Sequence, residues 1–264
     1  MQDARCVGPA RGPRGVAPIA SVLAWLLLLA VTAAAQTPRM QGRIASEERL
    51  VRVLALGDSY TIGEGVAPAE RWPEQLAAAL RAGGQMVAGP RIIARTGWTT
   101  DELAQAIDAS NVAADYDLVS LLIGVNDQYR GRPVSDYPER FRALLRQAIG
   151  FAGGRPARVL VLSIPDWGAT PFASGRDRAK IAVEIDAYNA VNRAEAEAAG
   201  ARWVDVTAIS REAATDASLL APDVLHPSAA MYARWVELAL PVVRAALAGQ
   251  PATQPAGTGP DSRP

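Results

Sequence analysis

The sequence predicts an α/β fold in which about five parallel strands are covered by helices on both faces. Two observations carry this. Strand-like and helix-like segments alternate between about residues 50 and 248, the order expected when each strand is followed by a crossover helix. The strand-like segments are also short continuous apolar runs, as strands buried on both faces require. With 264 residues, half of them apolar, the chain is long enough for one substantial core.

The first strand is Val51–Leu56, which ends abruptly in Gly57-Asp58-Ser59-Tyr60. Trp72-Pro73 opens a helix toward Arg81, since proline is tolerated in a first turn, and Gly83-Gly84 closes it. Arg91–Ala94 is the second strand, and Thr99-Thr100-Asp101-Glu102 is a capping box that starts the next helix. Asp117–Ile123 is the third strand. The helix after it carries Tyr137, Phe141, Leu144, Leu145 and Ala148 at helical spacing and ends in Gly150–Gly154. Arg158–Ile164 is the fourth strand. Ile181, Ile185, Tyr188 and Val191 make one face of a helix over 177–199, and Ala201–Val206 is the fifth strand. The last helix, 228–247, is expected to turn Met231, Trp235, Leu238 and Val242 inward and to kink at Pro241. Five loops, 57–72, 95–99, 124–134, 164–176 and 207–227, then leave one edge of the sheet, the edge where such folds bind ligands.

The ends of the chain differ from this body. Arg5, Arg11 and Arg14 precede the apolar stretch Val16–Val31, which is followed by Thr32-Ala33-Ala34-Ala35. That is the pattern of a secretory signal removed after Ala35, and 16 largely apolar residues fall short of the roughly 20 that span a bilayer. Cys6, the one cysteine, would leave with residues 1–35, so disulfides, thiolate metal ligands and a cysteine nucleophile are not expected. Residues 36–49 read as a spacer, 50–248 as the domain and 249–264 as a disordered tail. The mature chain would hold 24 basic and 26 acidic residues, nearly all the basic ones arginine and none clustered, which argues against a nucleic-acid partner. No stable membrane span is expected in it.

The chemistry lies in the loops. Ser59 follows the first strand, Gly97 the second and Asn126 the third; Asp223 and His226 lie in the last loop. A serine hydroxyl is a poor nucleophile until a base removes its proton, and His226 is the only histidine. Asp223 stands three residues ahead of it, close enough in a turn to bind one ring nitrogen and leave the other as an acceptor. Backbone N–H groups of Ser59 and Gly97, with the Asn126 amide, suit an oxyanion. Taken singly, each has a plainer reading: Asp58 or Ser59 as a helix cap, Asp223 as a turn cap, His226 as the cap of the last helix, Gly97 and Asn126 as turn residues.

Taken together, Gly57-Asp58-Ser59-Tyr60, the glycine of Arg95-Thr96-Gly97-Trp98, Gly124-Val125-Asn126-Asp127 and Asp223-Val224-Leu225-His226-Pro227 resemble the four ordered blocks of the SGNH hydrolase superfamily, or GDSL esterases and lipases. The resemblance implies a flavodoxin-like three-layer α/β/α fold. It also implies a Ser-His-Asp triad of Ser59, His226 and Asp223, an oxyanion hole of Ser59, Gly97 and Asn126, and ester hydrolysis through an acyl-serine with neither metal nor cofactor. Trp98, Trp167 and Phe172 are candidates to line the substrate pocket. The expected partner is a small-molecule, lipid or glycan ester. A carbohydrate O-deacetylase and a non-catalytic envelope binding protein stay open as alternatives, and the expected location is periplasmic or extracellular.

Overall fold

The computed structural model describes residues 50–250; the proposed leader, the spacer and all but the first two residues of the tail lie outside them. Strands β1 (Val53–Gly57), β2 (Arg91–Ala94), β3 (Leu118–Leu122), β4 (Val159–Leu162) and β5 (Arg202–Val204) form one parallel sheet in the order β2-β1-β3-β4-β5. Every residue of β1, β3 and β4 is buried, as their unbroken apolar sequence requires. The strands are shorter than their apolar runs because flanking residues leave the ladder while remaining packed in the core, as Ile123 and Ile164 do.

The helices are α1 (Ser59–Ile62), α2 (Trp72–Ala82), α3 (Thr100–Ala109), α4 (Val125–Tyr129), α5 (Tyr137–Phe151), α6 (Arg178–Ala199), α7 (Thr207–Arg211) and α8 (Ala229–Leu247). The chain moves outward from β1 to β2, then crosses back over β1 to β3 and onward to β5. Right-handed crossovers in opposite directions put their helices on opposite faces. Helices α3, α5 and α6 accordingly pack in series on one face, while α2 packs on α8 on the other. The reversal of direction opens a crevice between β1 and β3 at their carboxyl ends. Register sharpens this: Gly57 at the end of β1 pairs with Ala94 and with Leu122. The loops carrying Ser59, Gly97 and Asn126 therefore start level with one another.

The structure moves one expectation for α8. Its buried stripe is Met231, Tyr232, Trp235, Val236, Ala239, Val243 and Ala246, whereas Leu238 is 43% exposed and Val242 only partly covered. At about 100° per residue Leu238 stands roughly a right angle from the centre of that stripe. Pro241 lies inside the helix, which continues through it to Leu247. No helix among the described residues is long and apolar enough to cross a membrane.

Candidate active site

The carboxyl end of β1 feeds a tight strand-to-helix turn. A side chain on Gly57 would collide with Thr61 and with the carbonyl of Leu122, so only glycine lets α1 fold back so closely over its own strand. Asp58 caps α1, its Oδ1 accepting the Tyr60 N–H at 3.0 Å, and Gly63 ends the single turn in the left-handed conformation. Ser59 is the first residue of that turn. Its side chain is 4% exposed and its open side is a cleft of about 160 Å³.

His226 lines the same cleft. The turn that delivers it is built from hydrogen bonds. Oδ1 of Asp223 accepts the N–H groups of Leu225 at 3.0 Å and His226 at 2.9 Å, and Oδ2 lies 2.6 Å from Nδ1 of His226. Because a carboxylate only accepts, this contact places the imidazole proton on Nδ1 and leaves Nε2 as an acceptor. Burial works against the charge of Asp223, but the donors from His226 and Leu225 outweigh it and hold the carboxyl below its ordinary value. Val224 takes a φ of 55° in this turn, a conformation few β-branched residues adopt. The segment is sewn back by Ala221 N–H to the His226 carbonyl and Ser228 N–H to the Leu219 carbonyl, each at 2.8 Å. The cap of α8 is Ser228, not His226. The Tyr232 hydroxyl reaches from α8 to the Tyr60 carbonyl at 3.1 Å, and the ring of Tyr60 lies 5.4 Å from that of His226. The serine turn and the histidine turn are thus neighbours although far apart in sequence.

Gly97 and Asn126 line the same cleft as Ser59. Gly97 sits at φ 86° in a turn closed by Trp98 N–H to the Arg95 carbonyl, the third position of a type II turn, where a side chain would be strained. Asn126 is in α4 and donates one amide N–H to the Trp98 carbonyl at 2.9 Å, leaving the other N–H uncommitted by that bond. The two loops grip each other further. Arg130 donates to the Gly97 carbonyl at 2.6 Å, and buried Asp127 accepts both the backbone N–H and the hydroxyl of Thr100 at 2.9 and 2.8 Å. Arg132 bridges Asp127 and Asp101. The expected capping box at Thr99 and Glu102 is formed in the same place.

The remaining wall is apolar: Val125, Tyr129, Trp167, Phe172 and Leu225. Trp167 and Phe172 line the cleft. Trp98 does not, because beyond the Gly97 turn its side chain packs against the core while only its carbonyl faces the site loops. Tyr129 stands there instead, 5.2 Å from the ring of Trp167 and 6.4 Å from that of Phe172. It was legible only if 125–129 had been read as a helix, which sets Tyr129 three residues from Asn126 on the same side. The loop after β4 is held rigidly: Asn189 pairs with both backbone groups of Ile164, Asp166 binds Arg211 at 2.9 Å, and Trp167 Nε1 donates to Gln128 at 2.8 Å. Among the described residues no group of His, Cys, Asp and Glu side chains could hold a metal ion.

Fold and site together define an α/β protein with a serine, a histidine and an aspartate gathered at the carboxyl edge of a parallel sheet. Residues 55–234 match the model of the GDSL-like lipase/acylhydrolase family, and the chain belongs to that family. A comparison with curated proteins gives no match. Among solved structures, the lipase/acylhydrolase from Enterococcus faecalis is similar at 21% identity and a TM-score of 0.58, covering 78% of this chain and 100% of that one. TesA aligns at 21% identity and a TM-score of 0.56 over 74% of this chain and 99% of its own. The acetylxylan esterase Axe2 from Geobacillus stearothermophilus aligns at 21% identity and a TM-score of 0.57 over 73% and 94%. At such identities these neighbours bear on the fold, a three-layer α/β/α architecture.

Proposed function

We propose that this protein hydrolyses carboxylic esters through an acyl-Ser59 intermediate. The observation that carries the reading is the placing of His226, held through Nδ1 by Asp223 at 2.6 Å while facing the cleft that Ser59 opens into. Ser59 Oγ attacks the acyl carbon as its proton passes to Nε2 of His226, and Asp223 stabilises the imidazolium. The oxyanion takes N–H donors from Ser59, Gly97 and the Asn126 amide, three residues that line the one cleft. The alcohol leaves with the proton from His226. Water then gives its proton to the same nitrogen and attacks the acyl carbon, and the returning proton frees Ser59.

The apolar wall supports an acyl group that carries hydrocarbon, and about 160 Å³ is room for a group roughly the size of a benzene ring. Trp167, Phe172 and Tyr129 would line it. Thioesters and lysophospholipids present the same acyl chemistry. The arginine-led apolar leader at 1–35 supports export, and the mass of the purified mature chain, expected to begin at Gln36, checks it.

The test is hydrolysis of p-nitrophenyl acetate and butyrate by the mature protein and by Ser59→Ala. Loss of activity by a factor on the order of a thousand or more is expected, with fluorophosphonate adding mass to Ser59 in the parent only. An unchanged rate in Ser59→Ala would overturn the reading. Acetate release from acetylated glycans, with little turnover of aryl esters, would replace it by a deacetylase.

A further inference from the structure

One buried group has no part in the cycle above. Asp58 exposes none of its surface, its Oδ1 is spent on the Tyr60 N–H, and its Oδ2 is buried without a hydrogen-bond partner. No cation pairs with it among the described residues. The charged and titratable groups facing it are Tyr60 on its own turn, Asp127 from α4, Tyr137 from α5 and Tyr232 from α8. Three are phenols whose own ionisation burial drives upward, and the fourth is a carboxyl. A carboxylate in such a place has backbone donors alone, no counter-charge and a like charge nearby, and its burial outweighs those donors and favours the neutral acid.

We infer that Asp58 is a positioning residue that caps the nucleophile turn as an uncharged carboxylic acid, so that no fixed negative charge lies behind Ser59 where the oxyanion forms. The inference rests on the assignment of Ser59 as nucleophile for its catalytic half, while the protonation of Asp58 stands on the packing alone. A neutral cap still accepts the Tyr60 N–H through its carbonyl oxygen. An ionised one, in a site that water does not reach, would oppose the charge that builds on the acyl oxygen.

Burial moves this carboxyl from 3.8 up to about 8. The sign for stability follows from proton counting: between those values the unfolded chain has lost the proton and the folded one keeps it, so folding is progressively penalised as pH rises through the window. Asp58→Asn keeps the cap and removes the titration. Its Tm is expected to match the parent's near pH 4 and to exceed it by a margin that widens to several degrees by pH 8. In the parent, with aspartate carboxyls isotopically labelled, the infrared carbonyl stretch of a protonated acid should be present at pH 6 and vanish above pH 9. For the chemical step, kcat on p-nitrophenyl butyrate should fall on the alkaline side in the parent and lose that fall in Asp58→Asn, which should also retain most of what Asp58→Ala loses. A Tm difference that does not change from pH 4 to 8, or a missing band, would overturn the inference. If Tm and the infrared band behave as expected while Ser59→Ala stays active, the assignment of Ser59 fails and the neutral acid stands.

Discussion

The serine turn and the histidine turn meet at one cleft but are held by opposite means. Residues 57–63 are fixed by steric closeness: Gly57 is pressed against Thr61, Asp58 and Ser59 are buried, and few bonds leave the turn. Residues 221–228 are fixed by hydrogen bonds around a half-exposed Asp223, with Val224 in the solvent at a positive φ. Their carboxyls respond accordingly, Asp58 driven up by burial and Asp223 held down by its donors. The demands on pH are opposed too. The penalty from Asp58 accumulates as pH rises from 3.8 toward about 8, whereas the support from Asp223 is full above 3.8 and fades as pH falls through its lowered value. A site of this kind needs one partner that does not move and one whose ring orientation is tuned by bonds.

Substitutions can break that contrast in graded ways. The largest effect is expected for His226→Ala, a loss in kcat/KM on p-nitrophenyl butyrate on the order of a thousandfold, about 4 kcal/mol of transition-state stabilisation, with unfolding in urea little changed. Asp223→Asn should fall on the order of a hundredfold, because the amide can keep one oxygen on the turn N–H groups but no longer enforces the Nδ1 tautomer. In the other turn the damage should appear as stability instead. Gly57→Ala should lower the free energy of urea unfolding by about 1–3 kcal/mol, since Thr61 and the Leu122 carbonyl have no space to yield. The smallest expected effect has the opposite sign: Val224→Gly should gain about 1 kcal/mol, the relief of left-handed strain exceeding the added entropy of the unfolded chain. A loss of stability in Val224→Gly, or unaltered stability in Gly57→Ala, would remove the contrast.

Much of this was legible in the sequence because both signals involved are local. A fully buried strand must be an unbroken apolar run, as in Leu54–Leu56 or Val159–Leu162, and the polar residue that follows it is placed at the sheet edge by construction. The Thr99 and Glu102 cap spans four residues and was visible for the same reason. What escaped depends on distance or on phase. Helices α1, α4 and α7 are four or five residues long, too short for a period of 3.6 to register, and Tyr129 was lost with α4. Proximity to Gly97 in sequence suggests a cleft position for Trp98, but beyond the positive φ of that glycine its side chain packs against the core. Leu238 has the composition of a core residue, and only the packing of α8 on α2 sets which side of the helix is covered. Asn189, Asp166 and Asp127 stabilise the site loops through partners 25 to 45 residues away, which no local pattern records.

The link from Tyr232 on α8 to the Tyr60 carbonyl has a consequence for biosynthesis. All five strands precede residue 205, yet His226 and the helix that braces its turn against the serine turn emerge from the ribosome afterwards. A chain cut before residue 205 would therefore hold every strand and yet lack His226 and the helix that braces it.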